Sequence, residues 1–275
     1  MEVVYLGTGA AEGIPAVFCG CEFCKRARAG KERVRSRSQV LIDGELSIDF
    51  PPDAFYHGAM FGVEPDKIKY LLVTHSHMDH FYAHDFILRG YKYARELGVL
   101  DIFGNAETLE VFKECTRREM REDVRSLIRL HELNAFEPVM FGDWRAVPLK
   151  AQHTSENPFV FFLEKGGKRI LHLTDSGMIP EEDFAFLEKE GKQIDLITFD
   201  CTFIYEPVSM RARHMGISEN KKIYERLLSA GLIGKDTQAV LTHFSHNSAP
   251  SQDKLKKAER EFGAVAAFDG MKIVL

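Results

Sequence analysis

Residues 71–80 read L-L-V-T-H-S-H-M-D-H, and the rest of the chain is best read outward from them. The first half, with Tyr70 before it, is an apolar β-type run that stops where the polar residues begin. A buried strand ending in a loop is a rigid platform for side chains that must be held in place. Residues two apart in an extended segment share a face, so His75 and His77 can point at one ion. Asp79 and His80, beyond a turn, can serve a neighbouring one. Imidazole suits first-row transition metals, and a carboxylate can complete or bridge them. Three histidines and an aspartate within six positions are not ordinary loop composition.

Outward from this loop, short β-branched or aliphatic runs recur at 3–6, 40–42, 46–49, 69–74, 100–103, 144–151, 159–163, 169–174, 196–199, 239–242 and 272–275. Each is followed by a turn signal or a ligand-type residue. Helical periodicity covers 106–130, 181–190, 218–230 and 251–262, and Ser218 and Ser251 are N-terminal signals for the last two. Strands and helices therefore alternate through the second half. No internal repeat, low-complexity tract or Pro/Gly/Ser-rich linker divides the 275 residues, so one domain over 1–275 is expected. The nearest thing to a boundary is the charged helix 107–129. Its Arg117, Arg121 and Arg125 fall at four-residue spacing, but Glu114, Glu119, Glu122 and Asp123 are interleaved. That pattern reads as a solvated helix with ion pairs rather than a nucleic-acid surface.

Hydrophobic residues make up 45% of the chain, enough for a large core, and the formal net charge is −5. No domain-wide basic field exists, which argues against duplex nucleic acid as a partner. A short anionic substrate is still compatible, because bound divalent ions would supply local positive charge. The start, M-E-V-V-Y-L-G-T-G, opens directly on a strand, and no window approaches the roughly 18 apolar residues of a membrane span. The expectation is a soluble cytoplasmic protein with no membrane partner. Five cysteines, three of them crowded into Cys19, Cys21 and Cys24, are poor material for a disulfide framework.

The spacing H-x-H-x-D-H resembles the signature of the metallo-β-lactamase superfamily. The resemblance implies an α/β fold, a four-layer αββα sandwich with its site at one edge of two packed sheets, and further ligands from later loops. The sequence holds the expected residues in order: His153 in A-Q-H-T, Asp175 in L-T-D-S-G and His243 in L-T-H-F. By this resemblance His75, His77 and His153 hold a first metal, Asp79, His80 and His243 hold a second, and Asp175 bridges both. Zinc, manganese and iron all accept such ligands. One departure follows His80, where many members carry glycine-rich sequence and this chain reads F-Y-A-H-D-F. His84 and Asp85 there belong either to the pocket or to a surface turn.

Cys19, Cys21 and Cys24 form a C-x-C-x2-C knuckle, one ligand short of a tetrahedral zinc site. His246, three residues after His243, can diverge from it toward the knuckle and complete a structural zinc centre. The H-x-H-x-D-H loop, the knuckle and the terminal H-x-x-H together resemble the PhnP-like phosphodiesterase branch. G-T-G at 7–9 and D-C-T at 200–202 look similar too, and the likeness runs from Val3 to His246. PqqB-like proteins share the fold and a similar knuckle, so the knuckle marks a clan better than a substrate. What the branch implies is a two-metal hydrolase of a small cyclic or linear phosphate diester, and a homodimer. Cys115 and Cys201 read as plain buried or half-buried thiols.

A leaving alkoxide needs a proton, and His214 in R-A-R-H-M-G is the best remaining donor, since imidazole titrates near neutral pH. His-Met-Gly also recurs at this place in related phosphodiesterases. Asp79 is a second candidate for a catalytic role, orienting the nucleophile. Arg211 and Arg213 are candidates for phosphate contact. Asp200 ends a strand where it can bond a ligand imidazole, and Asp49 occupies a similar strand end. His172, inside an apolar strand, reads as a core residue, and His57 and His131 have no ligand-type context. Three other functions compete: a tRNase Z-like RNA endonuclease, an acyl hydrolase such as a lactonase or thioesterase, and a PqqB-like non-hydrolytic protein. The endonuclease would want an exosite arm or a basic face, and neither is evident.

Overall fold

A computed structural model describes residues 1–90, 92–209 and 212–275. The N-terminal half contributes β1 (Glu2–Gly7), β2 (Gln39–Ile42), β3 (Leu46–Ile48), β4 (Tyr70–Leu72), β5 (Leu100–Gly104) and β6 (Ile128–Glu132) to a first sheet. A second sheet follows, built from β7 (Val139–Phe141), β8 (Trp144–Lys150), β9 (Phe159–Lys165), β10 (Lys168–Leu173), β11 (Leu196–Asp200), β12 (Gln238–Thr242) and β13 (Val265–Ala266) in simple succession. The last strand, β14 (Met271–Val274), returns to pair with β1 at the edge of the first sheet. Counted from β14 and from β7, each sheet has three antiparallel pairings followed by three parallel ones. The two halves thus repeat one topology without repeating a sequence.

Parallel neighbours need crossovers, and helices supply most of them. After α1 (Glu22–Arg28) in the cysteine segment, α2 (Ala54–Phe61) joins β3 to β4, while α3 (Ala106–Thr116) and α4 (Glu122–Arg125) join β5 to β6. In the second sheet α5 (Glu181–Glu190), α6 (Ile217–Ser229) and α7 (Gln252–Phe262) join β10 to β13 in turn. The alternation of side chains along each strand then divides the core into three. Tyr5, Ile48, Leu72 and Phe103 face Phe161, Ile170 and Val240 between the sheets. Leu71 and Ile102 point outward to Phe112 of α3, and Phe162, Leu173 and Phe199 point the other way to Ile223 and Leu255 of α6 and α7. The result is the four-layer αββα sandwich expected. Each large apolar side chain so buried contributes about 1.5–3 kcal/mol.

The helix expected over 106–130 is where the structure departs from the sequence reading. α3 stops at Thr116, whose hydroxyl donates back to the Phe112 carbonyl at 2.7 Å, a bond that competes with continued helix. A single turn, α4, follows, and 128–132 is a strand in parallel register with β5. β6 is an edge strand with polar residues on it, as exposed edges require, and its five residues were too few to break the charged helical pattern. The ion-pair part of that reading holds: Lys113 pairs with Glu110, Arg125 with Glu122 and Arg121 with Asp123. No helix among the described residues is long and apolar enough to cross a membrane.

Candidate metal centre

Six strand ends meet at one edge of the sandwich. β3 delivers Asp49, β4 the loop from His75 to His80, β8 His153, β10 Asp175, β11 Asp200 and β12 His243. Most are carboxyl ends of parallel strands, where open α/β sheets place ligands. Asp49, Asp175 and His243 each take the left-handed backbone, with φ of 62°, 56° and 62°. Asp and His tolerate that region better than bulkier residues, and the turn swings each side chain off its strand into the centre. Strain of this kind, about 1–3 kcal/mol per residue, persists where surrounding structure enforces it.

The imidazoles fall into two sets. His75 Nε2 lies 3.0 Å from His77 Nδ1, and His153 Nε2 lies 3.2 Å from the same atom. Nitrogens that share one ion at ~2.1 Å in a tetrahedron are roughly 3.4 Å apart, so the three fit a single cation. In the second set His80 Nε2 is 3.3 Å from Asp79 Oδ2 and 3.0 Å from Asp175 Oδ2. His243 Nε2 is 3.7 Å from that Asp175 oxygen, and His75 Nε2 is 3.3 Å from it on the other side. Asp175 therefore stands between the sets, and the ligand atoms of Asp79, His80, Asp175 and His243 all lie within 4.8 Å of one another.

The outer contacts orient these rings. His80 Nδ1 donates to Asp49 Oδ2 at 2.6 Å, while Thr74 donates to Asp49 from its backbone N–H at 2.8 Å. His243 Nδ1 meets Thr202 Oγ1 at 2.9 Å and lies 3.4 Å from Asp200 Oδ2. With both Nδ1 atoms engaged, the buried His80 Nε2 and His243 Nε2 have no hydrogen-bond partner among the described residues. Carboxylates behind metal-facing imidazoles fix the tautomer that leaves the other nitrogen free to ligate.

Charge makes the same point. Asp49, Asp79, Asp175 and Asp200 are all buried, yet among the described residues no lysine or arginine pairs with any of them. Burial would raise Asp175 and Asp79, but the surrounding imidazoles hold both carboxyls well below the usual range. Burial would lower His80, and Asp49 and Asp79 instead pull it well above its ordinary value. So many buried carboxylates call for positive charge, which divalent cations would supply. The donor set fits such ions, and the fold and these clusters together suggest a divalent-metal protein.

His214 joins the centre from the loop before α6. Its Nδ1 lies 3.0 Å from Asp175 Oδ1 and 3.1 Å from Asp200 Oδ2, and its ring stacks on His243. Burial would lower it, but Asp200 and Asp175 raise it to about 10. A cavity of about 220 Å³ opens over the centre, lined by His77, Asp79, His153, Asp175, His214 and His243 together with non-ligand residues that include Glu12 and Phe203.

At the cysteine segment, Cys21 caps α1 and its thiol accepts the Cys24 N–H at 3.4 Å. His246 Nδ1 lies 3.4 Å from Cys24 Sγ and 3.9 Å from Cys21 Sγ, and the four ligand atoms including Cys19 fall within 4.8 Å of one another. Zinc–thiolate bonds of ~2.3 Å give tetrahedral edges of roughly 3.8 Å. The Cys24 backbone N–H, then His246, pull the Cys21 thiol down to about 6, whereas burial pushes Cys24 up to about 11.

Several anticipated residues fall elsewhere. His84 is exposed and its ring sits against Tyr82, and Asp85 faces a separate apolar hollow with Phe50 and Phe86. Both belong to the surface turn rather than the site. Arg213 is exposed and reaches the centre only through its carbonyl, 3.4 Å from His153 Nδ1. Arg211 lies outside the described residues. His172 is buried, and burial lowers it to about 3. Two residues escaped the sequence reading. Glu107, at the start of α3, accepts from Ser76 Oγ at 2.7 Å and from the Glu156 N–H at 3.1 Å. It thereby ties the His75–His77 loop to the loop that carries His153. Glu12 stands at the cavity and accepts from Ser245 Oγ at 2.6 Å.

Residues 40–244 match the beta-lactamase superfamily domain, and the chain belongs to that superfamily. Within it, the chain is similar to a diphosphatase of the PhnP family, at 21% identity and a TM-score of 0.74 over 99% of this chain and 97% of that one. It is also similar to Zn(2+)-bound PqqB from Methylobacterium extorquens, at 19% identity and a TM-score of 0.75 over the whole of both chains. A curated relative, an octanoyltransferase of Porphyromonas gingivalis, is 24% identical over 100% of this chain but only 52% of its own length. The chain thus spans about half of that protein.

Proposed function

We propose that this chain hydrolyses small phosphate diesters, using two divalent ions held by His75, His77, His153, Asp79, His80, His243 and the shared Asp175. Cys19, Cys21, Cys24 and His246 hold a third, structural zinc. The observation that carries the reading is the position of Asp175 Oδ2, 3.3 Å from His75 Nε2 and 3.0 Å from His80 Nε2, with no lysine or arginine among the described residues paired with it. Two such ions would lower the pKa of a water toward neutrality and offset charge developing on phosphoryl oxygens.

The chain's own groups do the rest. Asp79 lines the cavity beside His80 and orients the attacking water. His214 turns Nδ1 to Asp200 Oδ2, 3.1 Å away, which leaves Nε2 to hand a proton to the departing oxygen. A diester presents two non-bridging oxygens, one for each ligand set, where an acyl carbonyl presents one. The cavity, smaller than the roughly 300–1,000 Å³ of typical ligand pockets, suits a small substrate, and the net charge of −5 offers no basic track for RNA.

A substrate panel tests the proposal, comparing the metal-loaded wild type with Asp175→Ala. The expected result is turnover of bis(p-nitrophenyl) phosphate and cyclic nucleotides that falls to background in the variant. Thioester or lactone hydrolysis without diester hydrolysis would make it an acyl hydrolase. Cleavage of tRNA precursors would favour the endonuclease, and inertness toward every substrate a PqqB-like role.

A further inference from the structure

Another cavity, of about 390 Å³, lies apart from the metal centre and shares no lining residue with it. One side is the segment after α1, from Gly30 to Arg35, and the other is α7 with β13 and the turn that follows it. Lys31, Arg33, Arg35 and Lys256 line it, against two carboxylates, Glu32 and Glu259. Glu32 is matched by Arg26, which is not part of the lining. Glu259 turns Oε1 to the Ala266 N–H at 2.9 Å. Among the described residues no carboxylate is ion-paired with Lys31, Arg33 or Lys256. Four cations thus face one unmatched carboxylate, a local surplus of positive charge on a chain whose net charge is −5.

Arg35 is only 3% exposed, so its guanidinium has given up most of its hydration. A buried charge calls for an opposite one, and the groups it touches are neutral. Its Nη1 donates to Thr8 Oγ1 at 2.7 Å and to the Ala267 carbonyl at 2.6 Å, and the group lies 4.4 Å from the centre of the Phe244 ring. Asp269 is near enough to favour the charge, but its oxygens are already engaged. Oδ1 accepts from Thr8 Oγ1 at 2.6 Å, and Oδ2 accepts from the Ser36 N–H at 2.6 Å and the Ser36 hydroxyl at 2.7 Å. Burial lowers Arg35 to about 10 against the pull of Asp269. The cavity therefore has a desolvated cation in its wall that this chain's own carboxylates leave without an ion pair.

The rest of the wall is apolar: Leu255, Val265 and Ala266, then the Phe268 ring, which is 40% exposed. The Arg33 guanidinium sits 4.5 Å from the centre of that ring. An aromatic ring and a guanidinium together offer flat faces on which a planar ring stacks. We propose that this cavity is a second binding site, separate from catalysis, for a small phosphate monoester that carries a flat aromatic ring, of the mononucleotide kind. Buried Arg35 and the exposed Lys31 and Lys256 meet the phosphate, whose oxygens suffice for all three. Arg33 and Phe268 take the ring. The volume falls within the roughly 300–1,000 Å³ of ligand pockets.

The test titrates adenosine 5′-monophosphate, adenosine and inorganic phosphate separately into the zinc-loaded protein and follows backbone amide shifts by NMR. A monophosphate can also reach the metal ions, so the location of the shifts decides. The amides of Lys31, Lys256 and Ala266 report the cavity, and those of Asp175 and His214 report the metal centre. The expected result is saturable movement of the first set with adenosine 5′-monophosphate. Adenosine and inorganic phosphate should each bind there at least about tenfold more weakly, since each lacks one half of the contacts.

Two variants assign the halves. Lys31→Ala combined with Lys256→Ala changes only exposed side chains, and should weaken the monophosphate at the cavity by at least about tenfold while the metal-centre shifts titrate as before. Phe268→Ala should bring the monophosphate down to the affinity of inorganic phosphate. Amide positions remote from the cavity, unchanged in the same spectra, show that each variant is folded. Shifts confined to the metal centre, an affinity at the cavity unaltered by the double substitution, or equal binding of the monophosphate and inorganic phosphate to the wild-type cavity would overturn the proposal.

Discussion

Replacing Asp49 by asparagine changes one atom behind His80 and should weaken the second metal position without unfolding the protein. Asp49 accepts on both oxygens: Oδ1 from the Thr74 N–H at 2.8 Å, and Oδ2 from His80 Nδ1 at 2.6 Å. An asparagine has one acceptor and one donor group in that space. With its oxygen kept toward Thr74, its amide N–H faces His80 Nδ1, so the ring must carry its proton on Nε2. That proton then points at Asp79 and Asp175, where the ion would sit. With the amide turned over, His80 keeps the useful tautomer, but two N–H donors meet at Thr74 and one is left unpaired in a buried site.

Either arrangement costs about 1–3 kcal/mol, the price of an unsatisfied buried group, which corresponds to a loss of about 5- to 150-fold in metal affinity. The range agrees with the effect of removing carboxylates behind metal-bound histidines, about 10–100-fold. Titrating metal-free protein with Mn2+ in a calorimeter should show one of two binding steps weakened by this factor. The step assigned to His75, His77 and His153 should change much less. Equal affinities for wild type and Asp49→Asn at both steps would refute the role given to Asp49.

Other perturbations give separate readouts. Glu107→Gln removes the charge that joins Ser76 to the Glu156 N–H, and about tenfold weaker binding at the His75, His77 and His153 position is expected; unchanged titration would leave Glu107 a mere helix-start residue. Cys24→Ser should lose the knuckle zinc, lower Tm and speed amide exchange in α1 and in the turn holding Ser245. Protection unaltered in both segments would count against a shared zinc. His57 is buried between Ser36 and Gln39, and burial lowers it to about 4. The unfolded chain therefore binds the extra proton between about pH 6.5 and pH 4, and the stability contributed by the neutral ring is lost as pH falls through that window. In urea unfolding, the advantage of wild type over His57→Gln should shrink by at most about 3 kcal/mol from pH 7 to pH 4. A constant gap would contradict the buried neutral ring.

Most residues of the centre were readable because they end or closely follow an apolar strand. The run before His75, the run before Asp175 and the run before His243 are unbroken β patterns that stop at a ligand-type residue, and the sheet order then brings those ends to one edge. Asp49 and Asp200 were readable as strand ends for the same reason. β6 was not readable, since Ile128 and Leu130 continue the spacing of the helix before them and an edge strand carries its polar residues openly. Glu12 and Glu107 left no local trace. Glu12 acquires meaning only from Ser245, 233 residues away, and Glu107 only from two loops that tertiary structure brings together. Sequence alone left His84 and Asp85 between the pocket and a surface turn, because they lie near the cluster in the chain; the short helical turn that starts at Ala83 carries them away from the residues that precede it.

Under the proposed function, Asp175 joins two ions in one buried centre, apart from a zinc at the knuckle. Elemental analysis of the purified protein and of Asp175→Ala, after exhaustive dialysis, tests it most directly. Wild type should retain about three transition-metal ions per chain, and Asp175→Ala about one, a zinc. A wild type that holds no more than the knuckle zinc, or a variant that keeps all its metal, would contradict the account.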